Sequence, residues 1–204
     1  SLTYSNGLPA TVAAIAVANG DTLLVSTAAA PNLALIDHLT GGSTAVQQIL
    51  GQEWDYVVLQ QGPTSIPGIC RDSMVLWTRM FDSLVRPRGG RLALFMTWPA
   101  TSQGDVWTGV RTSYQLAAQA VAGVFLPAGE AWHIALSRHP GLPLYGPDGF
   151  HPSPMGSYLA ALAIYERLSD RHARRVTAQA VHASQPLAMC ADTIRWVQQA
   201  AHAA

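Results

Sequence analysis

The chain has 204 residues, 49% of them hydrophobic and only 12% charged, with 12 Lys and Arg against 12 Asp and Glu. This supplies the core of one domain of ordinary size, with room for an appended element, and argues against a disordered chain. A formal net charge of zero gives no electrostatic ground for nucleic acid or an anionic membrane as partner.

No apolar run approaches the roughly 20 residues that a bilayer span requires. The stretch "TVAAIAVA" is too short for one and lacks the flanks of a signal peptide. Cys70 and Cys190 set up neither a disulfide framework nor a metal-ligand spacing, and both read as buried small side chains. Compartment and oligomeric state stay open.

In chain order, "PATVAAIAVANG" (9–20) favours a helix, with Pro9 near its start and Gly20 at its end. "DTLLVST" (21–27) is a short apolar, β-branched run and reads as a buried strand. "PNLALIDHL" and "STAVQQIL" read as helical pieces around Gly41-Gly42, and "WDYVVLQQG" (54–62) as the clearest strand. A helix over 69–86, a strand over 91–98 stopped by Pro99, a helix over 106–121 and a short strand in "AGVFLPAG" follow. "EAWHIALSRH" is helical and "PGLPLYGPDGFHP" is a loop. Residues 154–169 form an amphipathic helix with Met155, Leu159 and Leu162 on one face. The tail from about 174 to 204 is Ala-rich and helical. The alternation of strands and helices predicts βαβ units and a parallel sheet in a three-layer α/β/α sandwich. Residues 1–170 make the main domain, and 171–204 a helical extension packed on it.

In open α/β sheets, sites form beyond the carboxyl ends of the strands. Two stretches there carry chemistry: "SLTYSNGLP" at the start and "DGFHPSP" (148–154). Asp148 stands three residues before His151, so its carboxylate can reach Nδ1, fix the tautomer and leave Nε2 free as general base. The competing reading is a histidine packed in a turn. Ser153 can cap the following helix and Pro154 suits its first turn, which pins the loop.

"DGFHPSPMGSYLAALAIYERL" resembles the last motif block of the SGNH/GDSL hydrolases, and "SLTYSNGLP" resembles the first block of a branch that reads Gly-Asn-Ser. "WDYVVLQQGPTS" and "LPAGEAW" are similar to the same branch, so the resemblance runs in order from residue 1 to about 169. It implies a flavodoxin-like parallel sheet and a Ser-His-Asp triad of Ser1, His151 and Asp148. It also implies an oxyanion hole from the backbone N–H of Ser1, the backbone N–H of Asn32 and the side-chain amide of Gln60, with Gln61 as the competitor for that last role. The block that is normally Gly-x-Asn-Asp is "LQQGPTS" here, and the stretch around Asn32 lacks the usual glycine. The resemblance further implies a first strand and a Gly-Asp or Gly-Asn pair ahead of Ser1, so the chain reads as N-terminally truncated.

The implied activity is hydrolysis of a carboxylic ester, with a short acyl group on an alcohol or carbohydrate, needing no cofactor. The alternative is a non-catalytic carbohydrate-binding or scaffolding relative. A third reading takes Ser1 as an N-terminal nucleophile on antiparallel sheets. His38 and Trp98 are candidate pocket-lining residues, with packing as the competing reading for each. Tyr4 either shapes an acyl pocket or staples the first helix. Trp77, Trp107 and Trp132 read as core, and Arg171, Arg174 and Arg175 as a solvated face. His133, His139, His172, His182 and His202 show no metal-like spacing, so no metal is expected.

Overall fold

The computed structural model describes residues 1–62, 68–172 and 190–204. It divides into two compact units. The first comprises Ser1–Ser26, Ala100–Gly104 and Pro127–Ala204; the second comprises Thr27–Pro99 and Asp105–Leu126.

The second unit holds the sheet. Strands β1 (Tyr56–Leu59), β2 (Arg91–Phe95) and β3 (Val124–Leu126) pair in parallel in the order β1-β2-β3. Val57 stands opposite Leu92, Leu59 opposite Leu94, and Phe95 opposite Leu126. Parallel neighbours need a crossover between them. Helix α4 (Ile69–Val85) supplies the first and α5 (Trp107–Gln119) the second. The period of α4 is legible in its buried residues Met74, Thr78, Phe81 and Val85, spaced by four, three and four. Met74, Phe81 and Val85 join Leu92, Leu94, Val110, Tyr114 and Ala117 in one core, with α2 (Leu35–Leu39) and α3 (Ala45–Gly51) contributing Leu35 and Ile49. Trp77 packs against this core and Trp98 is fully buried, edge-on to Phe95, so Trp98 serves packing.

The first unit is helical. Helix α1 (Leu8–Ala18) packs on α7 (Pro154–Ser169), and α6 (Ala128–Arg138) and α8 (Ala191–Ala203) pack on α7 and on each other. Ten consecutive residues of α7, Gly156 to Tyr165, are buried. The expected amphipathic helix is thus corrected: α7 is apolar all round because helices cover it on several sides.

Two further expectations fail. Residues 21–30 form no strand, and Leu24 is 90% exposed. β-Branched residues favour extended backbone, but a strand exists only where a neighbour completes its ladder. Cys70 and Cys190 are free and exposed, not buried, because both stand at helix starts. The parallel ladder also removes the reading of Ser1 as the nucleophile of an antiparallel sandwich. Among the described residues, no helix is long and apolar enough to cross a membrane. The tail helix is present as α8; the rest of that expectation, with His182, Arg174 and Arg175, lies outside the described residues.

Candidate active site

The loop from Gly146 to Ser153 is fixed at both ends. Gly146 N–H donates to the His151 carbonyl at 2.7 Å, and Ser153 N–H donates to the Leu144 carbonyl at 2.8 Å. Ser153 caps α7, its hydroxyl oxygen accepting from Gly156 N–H at 3.1 Å, and Pro154 occupies the first turn, as the sequence predicts. Gly149 has φ +68°, and a Cβ there would lie 2.4 Å from Thr101 Oγ1. Its carbonyl accepts from Thr101 N–H at 2.9 Å, which ties the loop to the 3₁₀ turn Thr101–Gln103.

Inside this frame Asp148 and His151 meet. Asp148 Oδ2 lies 2.5 Å from His151 Nδ1, while Oδ1 accepts from the backbone N–H of Phe150 at 3.1 Å and of His151 at 2.9 Å. The hydrogen bond from His151, then those from the two backbone N–H groups, hold the Asp148 carboxyl down at about 2. Asp148 is therefore a carboxylate at neutral pH, and its partner nitrogen carries the proton. That assignment leaves Nε2 of a neutral His151 as the acceptor. Both side chains are near half exposed, at 51% and 42%, so the pair stands open to a ligand.

Ser1 lies in the same unit as this pair. Its carbonyl accepts from Tyr4 N–H at 3.2 Å, from Ser5 N–H at 3.0 Å and from the Ser5 hydroxyl at 2.9 Å, which curls the chain start into a turn. Leu2 anchors that turn in the core with 2% exposure, and Tyr4 is exposed. Asn6 joins the turn to the histidine loop. Its side-chain amide donates to the Pro152 carbonyl at 2.8 Å and to the Ser157 hydroxyl at 2.9 Å, from a left-handed backbone that Asn tolerates. Sequence reasoning gave Asn6 no role; its traces are the Asn-x-Leu-Pro run of the first block and the Asn-Gly pair, a turn signature. Thr101, under Gly149, leaves none.

Asn32 and Gln60 belong to the second unit. Asn32 is exposed with φ 58°, and Gln60 donates its amide to the Gln61 carbonyl at 2.6 Å. Gln61 plays a structural part. Its side-chain oxygen accepts from Leu35 N–H at 2.9 Å at the start of α2, and its carbonyl accepts from the Tyr114 hydroxyl. His38 is partly buried, its Nδ1 2.6 Å from the Ser43 hydroxyl, and burial lowers its pKa.

No family model matches the sequence, and no curated protein matches it. Two solved structures share the fold. A DUF4886 family protein from Bacteroides uniformis superposes with a TM-score of 0.76 at 20% identity, over 94% of this chain and 86% of its own. A proposed SGNH hydrolase from Slackia heliotrinireducens superposes with a TM-score of 0.68 at 22% identity, over 83% of this chain and 95% of its own. The fold is α/β with a parallel sheet, as in these neighbours.

Proposed function

We propose that the protein is a serine esterase that cleaves a short acyl group from an alcohol or carbohydrate through an acyl-enzyme. The observation that carries this reading is the Asp148–His151 pair, held at 2.5 Å with the carboxylate braced by two backbone N–H groups. Support comes from Asn6, which stitches the turn that begins at Ser1 to the residue after His151, and from the fold shared with a proposed SGNH hydrolase.

In the proposed sequence, Ser1 Oγ attacks the ester carbonyl as His151 Nε2 takes its proton. The imidazolium formed is stabilised by Asp148. His151 then returns the proton to the departing alcohol, and water, deprotonated by the same nitrogen, hydrolyses the acyl-enzyme. The oxyanion is assigned by the sequence resemblance to the backbone N–H groups of Ser1 and Asn32 and the amide of Gln60, donors of the type that typically contribute about 2.7–4 kcal/mol each.

The test is hydrolysis of p-nitrophenyl acetate and longer acyl esters, beside Ser1→Ala and His151→Ala. Loss of turnover in both variants, with labelling of the parent by a fluorophosphonate, supports the esterase. A folded protein that turns over none of these esters and resists the probe would favour the alternative, a non-catalytic carbohydrate-binding or scaffolding relative.

A further inference from the structure

Away from the Asp148–His151 loop, three potential metal-ligating side chains meet in the helical unit. They are Glu166 on α7, His172 just beyond its end, and His202 in the last turn of α8. Their separations in the sequence give no motif; the packing of α8 on α7 brings them together. Their ligand atoms all lie within 4.8 Å of one another. His202 Nδ1 is 3.2 Å from His172 Nδ1 and 3.4 Å from Glu166 Oε1.

Hydrogen bonding does not account for this geometry well. An imidazole nitrogen offers one proton or one lone pair. With its proton, His202 Nδ1 can serve either the carboxylate or the other ring. Without it, a lone pair faces an anionic oxygen. A cation between them would instead take a lone pair from each of the three side chains. The two spacings to His202 Nδ1, 3.2 and 3.4 Å, fit ligands about 2.0–2.1 Å from a tetrahedral ion, which stand about 3.3–3.4 Å apart.

The ligands are placed by their surroundings. The backbone at Asp170 turns left-handed at φ 54°. Arg171 then pairs with Asp21 at 3.1 Å and donates to the Asn19 carbonyl at 3.3 Å, and Asp21 also accepts from the Tyr165 hydroxyl at 2.6 Å. These contacts hold the residue before His172. On the other side, Val197, Ala200 and Ala201 are buried, and Trp196 stacks on His139 at 4.0 Å, which seats α8 and presents His202.

We propose that Glu166, His172 and His202 form a zinc site that clips α8 to the end of α7. Two imidazole nitrogens and one carboxylate oxygen are a donor set for zinc and its first-row neighbours rather than for magnesium or calcium. The Glu166 side chain is 12% exposed and that of His202 28%, while His172 is exposed, so the ion has an entry path and water can complete the tetrahedron.

The test uses the full chain, untagged and stripped with a chelator, and reads metal binding rather than turnover. Titration calorimetry with zinc is expected to give one ion per chain. Cobalt(II) is expected to give the intense visible bands of a tetrahedral site, and either ion to raise Tm. His172→Ala and His202→Ala should each weaken zinc at least about 100-fold, and Glu166→Gln at least about tenfold, since even changes beyond the ligands themselves reach that range. His172 is exposed at a helix end, so its variant keeps the fold, which circular dichroism verifies. Binding that is non-stoichiometric, or unchanged in His172→Ala, would overturn the proposal.

Discussion

Asp148 is the residue on which the proposed chemistry turns, and it does two jobs with two oxygens. Oδ1 holds the loop and Oδ2 holds the imidazole. Asp148→Asn separates them. The Asn oxygen can keep the backbone bonds, but its NH₂ faces Nδ1 as a donor and forces the proton to Nε2. Such a base cannot accept from a serine, so esterase turnover is expected to fall by about 10⁴, with the far-UV spectrum unchanged. The same carboxylate has a testable titration. Its folded pKa, about 2, lies below its ordinary value of 3.8, so its contribution to stability is complete above that ordinary value and drains away as pH falls toward 2. A carbon-13 NMR titration of the Asp148 carboxyl should show its midpoint near 2; a midpoint near 4 would mean that the imidazole contact is not formed in solution. This pair is legible in the sequence because a spacing of three within one loop is local information. Asn6 is not, because its partners Pro152 and Ser157 stand 146 and 151 residues away. Asn6→Ala should cost about 1–3 kcal/mol in a denaturant melt, since it strips the Pro152 carbonyl and the Ser157 hydroxyl of a partner.

Helices are legible wherever their period can be seen. The helix expected over 69–86 is Ile69–Val85, and that expected over 154–169 is Pro154–Ser169 with its cap in place. The error over α7 is one of environment: three apolar residues at helical spacing suggest one buried face, while Ala160, Ala161 and Ala163 bury the remainder. Alanines let neighbouring helices come close, and that close approach is also why Gly156 is small. A Cβ there would stand 2.2 Å from the Leu144 carbonyl oxygen and 2.4 Å from Trp132 Cζ2. The Trp132 indole also donates to the Gly156 carbonyl at 3.1 Å. Gly156→Ala should therefore lower stability by about 1–3 kcal/mol as the indole is displaced, and the change should register in Trp132 fluorescence. Strands are harder. β1, β2 and β3 stand out because their runs are apolar and bounded, but 21–27 has the same look without a partner to pair with.

At the scale of the whole molecule, the exposed apolar side chains in that unpaired run are expected to act on association rather than on folding. Leu24 is 90% exposed and Val25 47%. Leu24→Ser with Val25→Ser should leave Tm within a degree or two, because surface changes are worth about 0.5 kcal/mol or less. The double variant should sediment with less concentration dependence than the parent; an unchanged profile would mean that these side chains do not drive self-association. The metal-ligating cluster is invisible in the sequence for the same reason as Asn6: its members come together only when α8 docks. Distant pairing also has a consequence for synthesis. Helix α1 is made with Leu8, Val12 and Ile15 uncovered, because α7, on which it packs, follows more than 130 residues later. At about 5–20 residues per second that is a wait on the order of ten seconds. Through that interval α1 keeps an apolar face without its partner, and the Asn6 latch can close only once Ser157 has left the exit tunnel.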